Sequence, residues 1–499
     1  MPGVLMQCTI VVPTIGRPSL DALLRALAGA GGPRPAELVL VDDRPSGPPL
    51  QPSIDGLPPV RVVPTGGGGP ARARNLGWRT ARTEWIAFLD DDVVPDPDWY
   101  ERLAADLADL PADVAGSQGR VRVPLPTDRR PTDWERGTAG LATSSWITAD
   151  LAYRRAALAA VGGFDERFPR AFREDSDLAL RVMDAGGRLV RGERRITHPV
   201  RPADRWISLR VQAGNADDVL MRRLHGPTWR ERADAALGRR PQHLAISAAA
   251  LTAIGLAVAR RPRGAAPAAL AWAAGTAEFA WARIRPGPRT RDETVTMVLT
   301  SAAIPPLASW HYLRGLVQHR RVRPWRGLPD LVLFDRDGTL VHDFPYNGDP
   351  EWVRPVDGAK EALDRLRARG VRLGVVSNQS GVARGLITRD QVDACNARLA
   401  ELLGPFDTVQ VCPHGPDDGC TCRKPAPGMV KAACADLDVD PARCVVVGDI
   451  GADVDAAAGA GAVGILVPTP VTRRAEVEAA DHRADTLAEA VDGILAGAW

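Results

Sequence analysis

At 499 residues the chain is too long for a single hydrophobic core and implies about two to four domains. Its 63 Lys and Arg against 61 Asp and Glu leave it nearly neutral, which excludes a bulk attraction to nucleic acid. Seven cysteines, an odd number, and a first stretch (1–7) without a basic region ahead of an apolar signal core point to a reduced, cytoplasmic setting.

Residues 8–13 are a short β-branched run that predicts a strand, and 19–30 predict an amphipathic helix capped by Ser19. Residues 37–43 and 60–64 predict two further strands, the first ending in Asp42 and Asp43. Strands alternating with helices imply a parallel sheet whose ligands bind at the carboxyl ends. A fourth strand, 85–89, runs into Asp90, Asp91 and Asp92. Three adjacent carboxylates repel one another; either solvation relieves this, or a divalent cation that also holds a diphosphate.

The segments Val-Val-Pro-Thr (11–14), Leu-Val-Asp-Asp (40–43), Ala-Arg-Asn-Leu-Gly (73–77), Phe-Leu-Asp-Asp-Asp (88–92), Gly-Gly-Phe-Asp-Glu (162–166) and Arg-Glu-Asp-Ser-Asp-Leu-Ala-Leu-Arg (173–181) stand in an order that resembles family 2 glycosyltransferases of the GT-A fold. The resemblance covers residues 7–200. It implies inverting transfer of a sugar from a nucleotide-diphosphate donor to a glycan or lipid-linked acceptor. It further implies Asp90 and Asp92 as ligands of Mg²⁺ or Mn²⁺, and Asp175 as general base with Glu174 the alternative. His198 lies where some members place a further ligand, the other reading being a structural histidine. Asp42 or Asp43 would accept hydrogen bonds from the base or ribose, and Arg74 and Asn75 either position the donor or, for the arginine, face solvent.

Beyond residue 200 the motifs stop and apolar content rises. Residues 244–259 are uncharged, 265–281 are apolar apart from Glu278, and 295–312 are apolar but broken by Pro305 and Pro306. Each falls short of the ~20 residues expected of a spanning helix, so buried helices and membrane-embedded ones both fit. Arginine clusters (260–263, 283–291, 320–326) and Trp272, Trp281, Trp310 and Trp325 near the ends favour a membrane surface. Nucleotide sugars and sugar phosphates are cytosolic, so three full crossings are excluded while an even number or an interfacial arrangement is allowed. A soluble helical linker or dimerisation domain is the alternative.

Residues 331–340 are an apolar run of strand length ending in Asp335 and Asp337, followed by Gly and Thr. A buried parallel strand would deliver these carboxylates to its carboxyl edge. Residues 371–377 and 444–447 predict further strands, ending at Ser377-Asn378 and at Gly448-Asp449. Cys412, His414, Cys420 and Cys422 gather three thiols and an imidazole within eleven residues, a set suited to tetrahedral zinc as against buried or redox-active thiols. Cys8, Cys395, Cys434 and Cys444 read as small buried residues.

From about residue 328 the Asp-x-Asp-Gly-Thr stretch and the later strand ends resemble the haloacid dehalogenase superfamily. This implies Asp335 as a nucleophile forming an aspartyl-phosphate and Asp337 as acid and base. It implies Mg²⁺ held by Asp335, the Asp337 carbonyl and Asp449, with Asp453 orienting that shell. Ser377 and Asn378 would bind phosphoryl oxygens and Lys424 would offset developing charge. The runs 378–385 and 422–429 are similar to the D-glycero-D-manno-heptose 1,7-bisphosphate 7-phosphatase group and to histidinol-phosphatase. Arg384 and Arg423 would then bind a second anionic group of a sugar bisphosphate.

The reading is an α/β protein with two doubly wound parallel-sheet domains, 1–205 and 328–499, joined by an apolar, membrane-associating helical segment, 206–327. It predicts a bifunctional enzyme, a metal-dependent transferase fused to a Mg²⁺-dependent, zinc-bearing sugar bisphosphate phosphatase, in the cytoplasm or on the membrane's cytoplasmic face. The alternatives are a phosphatase with a non-catalytic transferase-like module, and a histidinol-phosphate phosphatase.

Overall fold

β-Branched runs alternating with amphipathic helices build two compact α/β units, Met1–Pro324 and Trp325–Trp499, in this computed structural model. It describes residues 6–499 except 53, 323, 496 and 498, so most of the initial segment and Arg323 of the 320–326 cluster lie outside the described residues.

In the first unit eight strands form one sheet: β1 (Met6–Thr14), β2 (Pro35–Asp42), β3 (Val60–Pro64), β4 (Trp85–Leu89), β5 (Val94–Pro95), β6 (Val114–Arg122), β7 (Asp150–Arg154) and β8 (Arg188–Thr197). Their order is β3-β2-β1-β4-β7-β6-β8-β5. β1 to β4 are parallel as expected, but β7 runs against both β4 and β6, and β5 against β8. The sheet is therefore mixed, parallel from β3 across to β4 and antiparallel on both sides of β7. Val11 pairs with Val39 and with Phe88, so Thr14, Asp43 and Asp90 leave the sheet at one edge.

Helix α1 (Ser19–Gly29) buries Leu20, Leu23, Leu24 and Leu27, spaced for a single face. Ser19 does not cap it; Pro18 precedes the helix and no side chain caps the first turn. Helix α2 (Pro70–Thr80) lies so close to the sheet that a Cβ on Gly77 would stand 2.4 Å from Val11 Cγ1. Helix α3 (Asp133–Ala139) opens on a Thr132–Glu135 capping box, and α4 is Glu174–Asp184.

Three long helices, α5 (Arg240–Val258), α6 (Pro262–Ile284) and α7 (Arg291–Gln318), belong to this first unit and do not form a separate linker. Buried Arg283 on α6 pairs with Asp133 on α3 at 2.8 Å and donates to Thr300 and Ser301 on α7. Pro305 and Pro306 sit within a continuous α7 and do not break it. The outer faces of α5 and α6 stay exposed: Leu251, Ile254, Val258 and Leu270 are each at least 60 % accessible.

The second unit holds β9 (Leu331–Phe334), β10 (Arg372–Asn378), β11 (Thr408–Cys412), β12 (Cys444–Gly448) and β13 (Val463–Leu466). All are parallel, in the order β11-β10-β9-β12-β13, with a hydrophobic cluster on each face. Both ends of the unit meet: Trp499, buried in the core, donates through Nε1 to Gly327 O at 2.7 Å, and Arg326 N donates to Gly497 O at 3.0 Å.

Candidate functional sites

Phe334 lies level with Val375 and Val447 across the second sheet, so Asp335 emerges from the central strand between the tips of β10 and β12. Carboxylate oxygens of Asp335, Asp449 and Asp453 lie within 4.8 Å of one another. Buried Lys424 braces them, its Nζ 2.5 Å from Asp335 Oδ1 and 2.6 Å from Asp453 Oδ1, and it donates to Val376 O at 2.8 Å. Three carboxylates against one ammonium leave an excess of negative charge. Burial, opposed by Lys424 but reinforced by Asp453 and Asp337, pushes Asp335 up to about 8; burial and Asp453 push Asp449 up to about 6. Burial also works against the charge on Lys424, yet Asp335 and Asp453 outweigh it and hold the ammonium protonated. All-oxygen donors with uncompensated charge fit a hard divalent cation. Thr472 Oγ1 donates to Asp449 O at 2.6 Å and fixes that strand end.

The Asp337 carboxylate turns from this cluster to Arg336, at 2.9 Å, and to Gln379 Nε2, which donates at 2.8 Å and also donates to Ser377 Oγ at 2.8 Å. The Asn378 Nδ2 donates to Lys424 O at 3.1 Å and its Oδ1 accepts from Lys424 N at 3.0 Å, so the amide positions the lysine and keeps its second N–H for another acceptor. Arg384 donates to Tyr346 Oη at 2.5 Å, and Arg423 donates to His414 O at 3.2 Å.

The cysteine loop leaves the end of β11. Cys412 Sγ stands 3.7 Å from Cys420 Sγ and 3.3 Å from Cys422 Sγ, while His414 Nδ1 is 3.6 Å and 3.3 Å from the thiols of Cys412 and Cys422. Tetrahedral zinc with Zn–S bonds of about 2.3 Å sets its sulfurs about 3.8 Å apart. The donors already stand near that spacing. Cys8, Cys395, Cys434 and Cys444 are buried, as expected of packing residues.

In the first unit Arg74 is not solvated: it is buried and joins Asp90 and Glu174, each at 2.8 Å. Glu174 Oε2 is buried without a partner, and burial, then Asp175, pushes its carboxyl up to about 8. Burial raises Asp175 as well; its Oδ1 accepts from Ser176 N at 2.7 Å. Asp91 accepts from Thr14 Oγ1 at 2.7 Å and pairs with Arg17 at 2.8 Å. Asp92 pairs with Arg201 through one oxygen, and its other oxygen, Oδ1, is buried with no partner. Asp90, Asp92 and His198 bring ligand atoms within 4.8 Å of one another. An orphaned buried carboxylate oxygen beside an imidazole fits a cation.

Of the two candidates at the end of β2, Asp42 is gripped by Arg44 at 2.8 and 2.7 Å, which holds its carboxyl below the usual range. Asp43 instead lines a cleft of about 200 Å³ together with Arg17, Arg74, Asp90, Asp91 and Arg201. Asn75 does not face this cleft's ligands. Its amide donates to Phe164 O and Glu166 Oε1, both at 2.8 Å, and accepts from Phe164 N and Trp78 Nε1, so it staples the loop 162–166. Sequence reasoning missed Arg17, Arg201, Tyr346 and Thr472, which fall in no motif that singles them out, and Gln379, which lies within the run 378–385 without standing out there.

Residues 9–160 match the family Glycosyl transferase family 2, and residues 421–494 match the HAD-hydrolase-like family. The D-glycero-beta-D-manno-heptose-1,7-bisphosphate 7-phosphatase of Pseudomonas putida is 38 % identical over 145 residues, covering 28 % of this chain and 82 % of the relative. Its counterpart in Bordetella bronchiseptica is 40 % identical over 146 residues, 28 % of this chain and 80 % of the relative. Among solved structures, D,D-heptose 1,7-bisphosphate phosphatase from B. bronchiseptica with magnesium and phosphate is 34 % identical, covering 33 % of this chain and 98 % of its own (TM-score 0.31). A mannosyltransferase from Pyrobaculum calidifontis with GDP-Man and Mn²⁺ is 20 % identical, covering 62 % and 88 % (TM-score 0.39).

Proposed function

Because the chain belongs to the D-glycero-D-manno-heptose-1,7-bisphosphate 7-phosphatase family and carries a family 2 glycosyltransferase domain ahead of that portion, we propose that it is bifunctional. One half removes the 7-phosphate of D-glycero-D-manno-heptose 1,7-bisphosphate, and the other transfers a sugar from a nucleotide-diphosphate donor. The observation that carries the first half is the meeting of Asp335, Asp449 and Asp453 on Lys424.

In this reading Asp335, at the tip of the central strand, attacks phosphorus, and the bond from phosphorus to the sugar oxygen breaks as Asp337 protonates that oxygen. Water then attacks the aspartyl-phosphate, Asp337 takes its proton, and phosphate leaves Asp335 free. Lys424 holds Asp335 in place and offsets negative charge. Gln379 and Arg336 hold the Asp337 side chain for both proton transfers. Arg384 and Arg423 are the proposed partners of the anomeric phosphate. Mg²⁺, held by Asp335, Asp449 and the Asp337 carbonyl, would neutralise phosphoryl charge when bound.

In the first unit Asp90, Asp92 and His198 are the proposed holders of Mg²⁺ or Mn²⁺, which would stabilise the diphosphate leaving group when bound. Asp43 is the proposed contact to the nucleoside, and Asp175 the base for the acceptor hydroxyl. Asp335→Asn is expected to abolish phosphate release and leave transfer intact, while Asp175→Asn does the reverse, read by phosphate-release and transfer assays on the intact chain. One substitution removing both activities would defeat the two-site reading. A non-catalytic first unit is favoured by one observation, that Arg74 and Arg201 already pair with Asp90 and Asp92. Failure of the chain to bind GDP or UDP with Mn²⁺ would select that reading.

We further propose attachment to the cytoplasmic face of a membrane through the α5–α6 hairpin. Among the described residues α5 alone is long and apolar enough to cross a bilayer, and exposed apolar side chains flank Arg260, Arg261 and Arg263 at the turn. The chain is expected to float with anionic liposomes, and Leu251→Glu with Leu270→Glu to weaken that association. A wild-type chain that stays in the soluble fraction refutes it.

A further inference from the structure

The first turn of α4 carries Glu174 and Asp175, and the chain enters it through a strained residue. Arg173, which precedes the helix, has φ +77° and ψ −18°, the left-handed region in which a side chain's Cβ crowds the neighbouring carbonyl. A residue other than glycine keeps that shape only where its surroundings hold it. Here the guanidinium of Arg173 lies over the rings of Phe172, at 4.4 Å, and Trp229, at 4.9 Å, while its Nε donates to Asp218 Oδ1 at 3.0 Å. Arg230 takes the other oxygen of Asp218. Side-chain exposures of 18 % for Arg173 and 12 % for Asp218 leave little water to screen the pair.

Asp218 belongs to the helix Gly214–His225, which grips the same stretch at two further points. Asp217 takes both Nε and an Nη of Arg170, at 3.1 and 3.0 Å, and His225 Nε2 stands 2.8 Å from Asp177 Oδ1. The helix is itself backed by α7, for a Cβ on Gly315 would stand 2.9 Å from Ala216 Cα. At Glu174 the turn is tied elsewhere, to buried Arg74 and through it to Asp90. Asp175 is thus flanked in the chain by a tie to the proposed cation site at Glu174 and by clamps at Arg173 and Asp177. Those clamps come from beyond residue 205, outside the stretch 9–160 that matches the transferase family.

Resting on the transferase reading of this unit, we propose that Asp218, acting through Arg173, is the positioning residue for Asp175, and that the helix Gly214–His225 is part of the transferase site. The clamp keeps the left-handed turn at 173 and so fixes the direction in which Asp175 projects. Without it, Arg173 relaxes to an ordinary backbone conformation and the carboxylate swings away from the acceptor hydroxyl. Asp43 and Asp90 follow strands of the sheet and do not depend on the clamp. Donor binding and proton removal are therefore separable.

The test is Asp218→Asn in the full chain, which keeps the shape and removes the charge, alone and together with Arg173→Gly, since glycine takes positive φ without a clamp. Nucleotide release from whichever GDP- or UDP-sugar the wild-type chain hydrolyses fastest with Mn²⁺ is read beside amide exchange of residues 172–178. Asp218→Asn is expected to lower kcat about tenfold with KM within about twofold of wild type. Exchange in 172–178 should quicken about tenfold or more. Adding Arg173→Gly should bring kcat back to within about threefold of wild type. A purely structural contact gives the opposite, because the second substitution also strips the stacking on Phe172 and Trp229. Unchanged kcat in Asp218→Asn, or a double variant no faster than the single one, overturns the proposal. A wild-type chain that binds neither GDP nor UDP with Mn²⁺ overturns the role given to Asp175 by a separate route, because the transferase reading has then failed whatever the exchange shows.

Discussion

At Gly338 the backbone takes φ +85°, and a Cβ there would stand 2.5 Å from Asp449 Oδ2. Only glycine lets the loop after Asp337 pass beneath the carboxylate cluster. The crowding has an electrostatic side. Asp335 is raised from 3.8 to about 8 and Asp449 to about 6, so the folded, cation-free unit binds protons that the unfolded chain releases. That contribution to stability is complete below about 4 and is lost as pH rises through 6 and 8. With a chelator present, the second unit is expected to lose on the order of a few kcal/mol between pH 5 and 8.5, at about 1.4 kcal/mol per pKa unit. Excess Mg²⁺, which needs ionised carboxylates, should restore stability most at the upper end. Thermal melts of the unit across that range check it, and a flat chelated profile would sink the argument. Asp335, Asp337 and Asp449 were legible in sequence because each follows an apolar run that can only be a strand. What Arg74 and Asn378 touch was not, since their partners Glu174 and Lys424 lie 100 and 46 residues away and leave no local signature.

Among the elements, the cysteine loop was read from spacing alone, because four soft donors in eleven residues have few other uses. The loop carries Arg423 and Lys424 on its return, so its shape sets theirs. The chain is expected to hold about one zinc, with Cys412→Ser and Cys422→Ser together cutting that content about tenfold or more and lowering phosphatase activity with it. Elemental analysis beside phosphate release reads both; full activity in a zinc-free chain would leave the loop without this role. Helices α5 to α7 show where element-level reading ran out. Their apolar composition was plain, but their attachment to the first unit includes long-range contacts such as Arg283 with Asp133, 150 positions apart, that no local pattern announces. Similarly, β7 (Asp-Leu-Ala-Tyr-Arg) carries no mark of its direction in its residues, so the mixed sheet was not visible beforehand.

At the scale of the whole molecule, two units with separate cores carry two separate acidic centres. The second unit's five parallel strands close a core on both faces without help from residues before Trp325. A fragment of residues 325–499 is therefore expected to fold and release phosphate from heptose bisphosphate within about threefold of the intact chain, measured at saturating Mg²⁺; an insoluble or inert fragment would contradict this. The clasp of Trp499 on Gly327 bears on how such a fusion arises. The first and last described stretches of the second unit are thus pinned to each other, and the unit closes on itself. A domain whose two ends are clasped carries its own closure, and a recombination that moves it moves a finished fold.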